Sequence, residues 1–390
     1  MVLQTDFFID DLFEILKNYV KWTGISLFEK KAKNLTKVQK SIRNSRLVFS
    51  VFCLLNLILM LTSICAQDIS MIKIRKPVGM PYFLNGIFII FKIIIIIFKK
   101  TEIIGLISDI KDIFQDKKIK YTHFAGLMKY IKYYRRFCEI SLFGVLIRNI
   151  LTIISSQQID YHNAFLWIPY ILRTGSTFSA IIVSSWVQVF SIYVTFLLFI
   201  SEVTLFTFIN FVAIAFEDLN EKIENSKILP EKTLNIKEII AEHLKIIRLK
   251  EKVTSTFKFL LFIHFLQNSS VICALGLQII RSNVLSIKIM NLALVAQELF
   301  QILILCSFGQ KIINSSGKIS NSIFESCDWN EKIENQNKQT IIILMLKSQK
   351  ENCIKSLGFG VISLEIFVKA MENTYVYIIL LQAVTMRLNQ

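Results

Sequence analysis

TFSAIIVSSWVQVFSIYVTFLLFISEVTLFTFINFVAIAF, residues 177–216, is a run of 40 residues with a single charged side chain, Glu202, and neither glycine nor proline. A bilayer's hydrocarbon core takes about 20 residues of helix, so the run is either two spans joined by a reversal or one helix longer than the membrane is thick. A reversal inside hydrocarbon needs residues that tolerate a tight turn, and this run has none. The pattern predicts one tilted helix that projects beyond the bilayer on at least one side.

Apolar blocks of span length lie on both sides of it. Residues 47–67 (LVFSVFCLLNLILMLTSICAQ), 78–98 and 137–155 precede it, and 257–280, 287–308 and 358–384 follow. The predicted fold class is therefore all-α, a polytopic membrane protein with seven transmembrane helices. Composition agrees. Of 390 residues 53% are hydrophobic, with 32 Phe against 12 Gly and 4 Pro, which is too apolar to supply the polar shell of a soluble domain. Between the third and fourth blocks Tyr161, Phe165, Trp167 and Tyr170 suit an interfacial belt. Residues 217–252 carry a charged helical pattern broken at Pro230, and a short loop at 281–285 joins the fifth and sixth blocks.

The net charge of +16 coexists with these almost uncharged blocks, so the basic residues lie between them. That arrangement makes membrane lipid the partner and leaves no surface on which to lay a nucleic acid. Segments 1–46, 99–136, 217–252 and 309–355 hold 34 Lys and Arg, whereas 68–77, 156–176, 281–288 and the tail after 384 hold 7. The positive-inside rule then predicts a cytosolic amino terminus and an extracellular carboxyl terminus. Splitting the long fourth block would put the later basic segments outside. The predicted orientation is opposite to that of a G-protein-coupled receptor, and no Asp-Arg-Tyr-like triplet closes the third block. With Asp6, Asp10 and Asp11 and no basic leader, the first residues do not read as a cleavable signal peptide.

Catalysis has no footing. Seven cysteines are scattered singly, the four histidines fall on different segments, and dinucleotide, Walker and nucleophile-elbow patterns are missing. The sequence predicts no enzyme, no cofactor and no metal site.

Charges inside apolar blocks cost several kcal/mol unless they face water or a partner, which makes each a functional candidate. They are Lys92, Arg148, Glu202, and the group Glu365, Lys369 and Glu372. Lys92 and Arg148 also read as snorkelling or internally hydrogen-bonded, and Glu202 as lying near an end of its long helix. In the last block Glu365, Lys369, Asn373, Tyr377, Leu380 and Val384 recur at spacings of three or four and share one helical face. That face is charged at one end and apolar at the other. Around an axis of several copies it would line a wet vestibule closed by a hydrophobic constriction; as a packing seam it would carry a Glu365–Lys369 pair. Pattern alone leaves both readings open.

The residues after 308 resemble the carboxyl-terminal signature of insect odorant receptors. The matching residues are Ser326, Asp328 and Trp329; Lys347, Gln349 and Lys350; Gly358; Ser363, Leu364, Glu365 and Phe367; and Thr374, Tyr375, Val376, Tyr377, Leu380 and Leu381. The related gustatory receptors carry Thr-Tyr, five apolar residues and Gln-Phe. Here six residues separate Tyr375 from Gln382, and Ala383 stands where that Phe would be, which favours the odorant branch.

What the resemblance implies is a subunit of a tetrameric, ligand-gated, non-selective cation channel in the plasma membrane of sensory neurons. It would work with an odorant receptor coreceptor and bind a volatile organic ligand among helices two, three, four and six. It also implies a division into 1–308 (amino terminus and six helices), 309–355 (cytosolic anchor, with Trp329) and 356–390 (pore-lining helix and tail). Leu380 and Val384 would fall at the gate, with Gln382 and Tyr377 beside it. Apolar walls with few polar groups suit a volatile, and Phe88, Phe91, Phe143, Ile147 and Tyr193 fit that description. The alternatives are a gustatory channel and, more remotely, a secondary transporter. A transporter would show internal repeats, broken helices with Gly or Pro at mid-span and paired intramembrane charges; this sequence shows no evident repeat and few such breaks.

Overall fold

A computed structural model describes residues 80–114, 177–225, 236–282, 285–326, 335–349 and 352–387, with 129, 132, 133 and 136. The blocks at 47–67 and 137–155 lie outside these residues, as do Arg148, Phe143, Ile147 and Trp329. The described elements, in chain order, are α1 (Met80–Phe98), α2 (Lys100–Phe114), α3 (Thr177–Asn225), α4 (Ile236–Arg281), α5 (Leu285–Ser326), α6 (Asn335–Ser348), a hairpin of β1 (Lys355–Ser356) and β2 (Gly360–Val361), and α7 (Leu364–Arg387).

The long fourth block is one continuous helix, and it does not end where the charges begin. At about 1.5 Å per residue, the 49 residues of α3, 46 of α4 and 42 of α5 run roughly 60–75 Å, about twice the hydrocarbon thickness. The charged segments after residue 216 and before residue 257 are thus helical continuations of spans. They pack on one another by polar contacts. The Asn220 amide donates to the Ser315 carbonyl at 2.6 Å, the Ser326 hydroxyl donates to the Ile223 carbonyl at 3.1 Å, and the Lys222 ammonium donates to Glu238 and Glu242 at 2.9 Å each.

Every residue from Ile200 to Phe216 is buried, so this part of α3 has no outer face and forms the axis of the bundle. Its side chains are mostly apolar all round, with Ser201, Glu202, Thr204, Thr207 and Asn210 buried among them. Phe208 meets Phe257 of α4 with ring centroids 5.3 Å apart, and Phe211 meets Phe114 of α2 at 5.7 Å. By contrast Leu292, Phe300 and Leu303 of α5 and Ile94, Ile97 and Phe98 of α1 are exposed, apolar side chains suited to lipid or a neighbouring subunit.

The approach to the last helix is a tight antiparallel hairpin, Lys355 opposite Val361 and Ser356 opposite Gly360. Gly358 in its turn, at φ +79°, and Gly360 at the start of β2, at φ +83°, hold left-handed positions that disfavour any side chain. Gly309 of α5 lies against the strand leaving it. A Cβ there would stand 2.8 Å from Ile362 Cγ2, 2.9 Å from its carbonyl carbon and closer still to its carbonyl oxygen. Ser363 then caps α7 by accepting the Ile366 N–H at 3.4 Å.

Candidate functional site

Lys92 of α1 and Glu202 of α3 find each other. The ammonium lies 3.0 Å from Glu202 Oε1, with the side chains 2% and 1% exposed. Glu202 is therefore deep in the bundle, within the wholly buried stretch of α3, and Lys92 does not snorkel. His264 of α4 completes the cluster, with Nδ1 3.1 Å from the ammonium and 3.4 Å from Glu202 Oε1. An ammonium can only donate, so Nδ1 accepts from Lys92, and its longer approach to Glu202 is proximity rather than a second hydrogen bond. Burial of three such groups in hydrocarbon is sustained only by their mutual pairing.

Glu298 of α5 extends the polar core. Asn268 is best oriented with its amide nitrogen toward Glu298 Oε2, at 3.2 Å, and the His264 carbonyl, at 3.1 Å, since the opposite orientation faces oxygen with oxygen. One turn of α4 away, the Gln267 amide donates to Asn85 of α1. Among the described residues Glu202 Oε2, His264 Nε2 and Gln267 Oε1 are buried without a hydrogen-bond partner. Each such atom costs about 1–3 kcal/mol, so the cluster is held at a local loss.

Aromatic rings carry the cluster toward the hairpin. Phe206 stands edge-on to His264 at 5.9 Å, and Phe265, next to His264 in sequence, stacks on Phe359 of the hairpin turn at 5.1 Å and 26°. On the far side of α4, Cys273 Sγ lies 3.8 Å from the Thr374 carbonyl of α7.

α7 itself is only half covered. Ala370 and Thr374 are buried against the bundle, while Glu365, Lys369, Asn373, Tyr377, Leu380 and Val384 are all exposed. Tyr377 is 58% exposed, Leu380 57% and Val384 48%, and Gln382 is half-buried. Glu365 and Lys369 form an exposed pair at 2.5 Å. Of the pocket candidates, Phe88 is half-buried on α1, Phe91 is turned to the outer face at 49% exposure, and Tyr193 lies on α3 with its side chain outside the description. A crevice of about 460 Å³ opens between α3, α5 and the start of α7. Its walls, Glu217, Gln310, Lys311, Asn314 and Lys318 among them, are polar and unlike the apolar walls a volatile needs.

Long apolar helices, a wholly buried inner axis, and buried charges paired across three helices define a multi-pass helical membrane protein. The chain belongs to the seven-transmembrane odorant receptor family, since the family model described as 7tm Odorant receptor matches residues 78–375. It is similar to putative odorant receptor 92a of Drosophila melanogaster, 30% identical over 144 residues that cover 37% of this chain and 35% of that one. It is similar also to odorant receptor 67c of the same organism, 29% identical over 147 residues, 37% of this chain and 35% of that one. The matches thus span about a third of the length of these relatives. The fold resembles that of the insect olfactory receptor OR5 from Machilis hrabei in complex with eugenol, with a TM-score of 0.70 at 14% identity, covering 96% of this chain and 99% of that one. A structure of the same receptor described without eugenol gives 0.66, also at 14% identity, covering 96% and 100%.

Three residues of this cluster and its aromatic link to the hairpin escaped the sequence reading. His264 looked isolated because its partners lie 62 and 172 positions away in sequence. Glu298 sits in a block of apolar residues and could have been flagged by the same rule that singled out Glu202. Phe359 gave no signal beyond its flanking glycines.

Proposed function

We propose that this chain is a subunit of a ligand-gated, non-selective cation channel that binds a volatile organic molecule within its helix bundle and opens a pore lined by α7. The observation that carries the reading is the uncovered stripe of α7. A membrane helix whose own subunit buries only Ala370 and Thr374, and along which an exposed stripe passes from Glu365 and Lys369 through Tyr377 to Leu380 and Val384, has the pattern of a wall around an axis shared by several copies. The apolar end closes the path by dewetting and the charged end keeps its mouth wet. Family membership supports the volatile ligand, and the eugenol named with the Machilis hrabei structure supports it further.

In this reading the basic helix extensions, α6 and residues 309–355 lie in the cytosol, where subunits of a tetramer with a coreceptor meet. The carboxyl terminus is extracellular and the complex sits in the plasma membrane of sensory neurons. Leu380 and Val384 form the gate, Gln382 and Tyr377 border it, Trp329 belongs to the anchor, and Phe88, Phe91, Phe143, Ile147 and Tyr193 are pocket candidates.

The test is whole-cell recording from cells that coexpress the chain with a coreceptor, under a broad panel of volatiles. Volatile-evoked cation current is expected, with altered conduction in Leu380→Lys and Val384→Lys. Silence of a complex present at the cell surface, or currents indifferent to both substitutions, would refute the pore assignment. Responses to tastants alone would move the chain to the gustatory alternative.

A further inference from the structure

α4 is gripped on two sides. At mid-length its His264 lies between Lys92 of α1 and Glu202 of α3. On its other side it carries the approach to α7. The Lys258 carbonyl accepts the Leu357 N–H at 3.2 Å, and Phe262 and Phe265 flank Phe359 at 5.9 and 5.1 Å. A Cβ on Gly276 would stand 2.9 Å from Ile378 Cδ1, so α4 and α7 touch closely there. No proline interrupts the 46 residues of α4, which can shift as a rod.

Stability does not account for charges at this place. An apolar trio of similar volume would hold α1, α3 and α4 together at least as well, without the unpartnered Glu202 Oε2 and His264 Nε2. What an ion cluster does and apolar packing does not is select one register, because its bonds exist at one helix offset and break at others. We propose that Lys92, Glu202 and His264 are positioning residues that fix the register of α4 against α1 and α3, and that α4 transmits this register to the hairpin and α7 through the Phe265–Phe359 stack and the Gly276–Ile378 contact. The functional consequence, a changed gate, rests on the pore reading above. The structural consequence does not.

Two measurements test it on the full chain. Hydrogen exchange of the purified protein reads the hairpin directly. Glu202→Gln and Lys92→Met are expected to speed exchange of amides 355–363 about threefold or more while leaving α6 near its wild-type rate, a span consistent with couplings seen along packed networks. In cells coexpressing the coreceptor, ligand-free and volatile-evoked currents per surface receptor are expected to shift by about threefold or more, and the swap Lys92→Glu with Glu202→Lys to bring them back toward wild type. Wild-type hairpin exchange in Glu202→Gln overturns the proposal. So does a uniform acceleration over the whole chain, which would mark a merely structural cluster. If the charge variants yield no folded protein, Phe359→Leu, which leaves the ions in place, decides: wild-type currents and wild-type exchange of α7 overturn it. A current-less wild type with a responsive hairpin would refute the channel reading and leave the positioning role intact.

Discussion

Replacing Gly309 by alanine should injure this protein, and replacing Gly317 on the same helix should not. Both glycines lie inside α5, where alanine is worth about 1 kcal/mol over glycine in helix propensity. At Gly317 an added Cβ meets nothing within 4 Å. At Gly309 it would lie 2.8 Å from Ile362 Cγ2 and 2.9 Å from the Ile362 carbonyl carbon. The side-chain atom could swing away, but the backbone of the strand leading into α7 cannot move without disturbing the Ile362 N–H to Ile354 carbonyl bond of 2.9 Å. Overpacking of this kind costs about 1–3 kcal/mol. Because the propensity gain is common to both variants, it cancels in their difference, and Gly309→Ala should be less stable than Gly317→Ala by about 1–3 kcal/mol. At roughly 2 °C per kcal/mol for a chain of this size, the melting midpoints should differ by about 2–6 °C. Size-exclusion chromatography of a fluorescently tagged protein after stepwise heating measures that difference. Equal midpoints, or a lower one for Gly317→Ala, would refute the close approach of α5 to the hairpin.

Two further outcomes concern the extended helices. Asn220→Ala removes bonds to the Ser315 carbonyl and the Ser322 hydroxyl, at 2.6 and 3.3 Å, from a buried seam between α3 and α5, and should cost about 1–3 kcal/mol in the same heating assay. Burial, aided by the charge of Lys347, holds the His243 imidazole below its ordinary value of 6.5. The unfolded chain therefore binds the proton more readily than the folded one. Stability from the neutral ring is complete above about pH 6.5 and is lost as the pH falls through the lowered value. Wild type should melt earlier at pH 5.5 than at 7.5, and His243→Phe, whose ring would still pack on Phe216, should lose part of that difference.

Much of the architecture was readable because hydrocarbon imposes a length and a polarity on every span. The unbroken run of 177–216 told of one helix, and α3 is one helix. The same rule that makes a membrane charge costly singled out Lys92 and Glu202. What it could not say was where each charge finds relief, since that depends on helix neighbours rather than on neighbours in sequence, and His264 had no local mark. The polar segments were harder. Residues after 308 read as a separate cytosolic stretch, yet α5 continues through them to Ser326. Polar residues on a helix that has left the membrane lose nothing by staying helical, so hydropathy marks the membrane boundary without marking the helix boundary. The stripe on α7 was legible as a face, because its spacing is intrinsic to the helix; what covers that face is not written in the spacing.

The uninterrupted length of α3 has a consequence for how such a chain can change over generations. One residue inserted or deleted anywhere in a helix turns everything beyond it by about 100° and shifts it by about 1.5 Å. In α3 such a change between Glu202 and Asn220 would turn either that carboxylate or the Asn220 seam away from its partners, since both ride on the same rod. Substitutions can accumulate along this helix, but changes of length cannot. The family's variation in chain length is therefore expected between helices, with the count of residues separating Glu202 from Asn220 held constant.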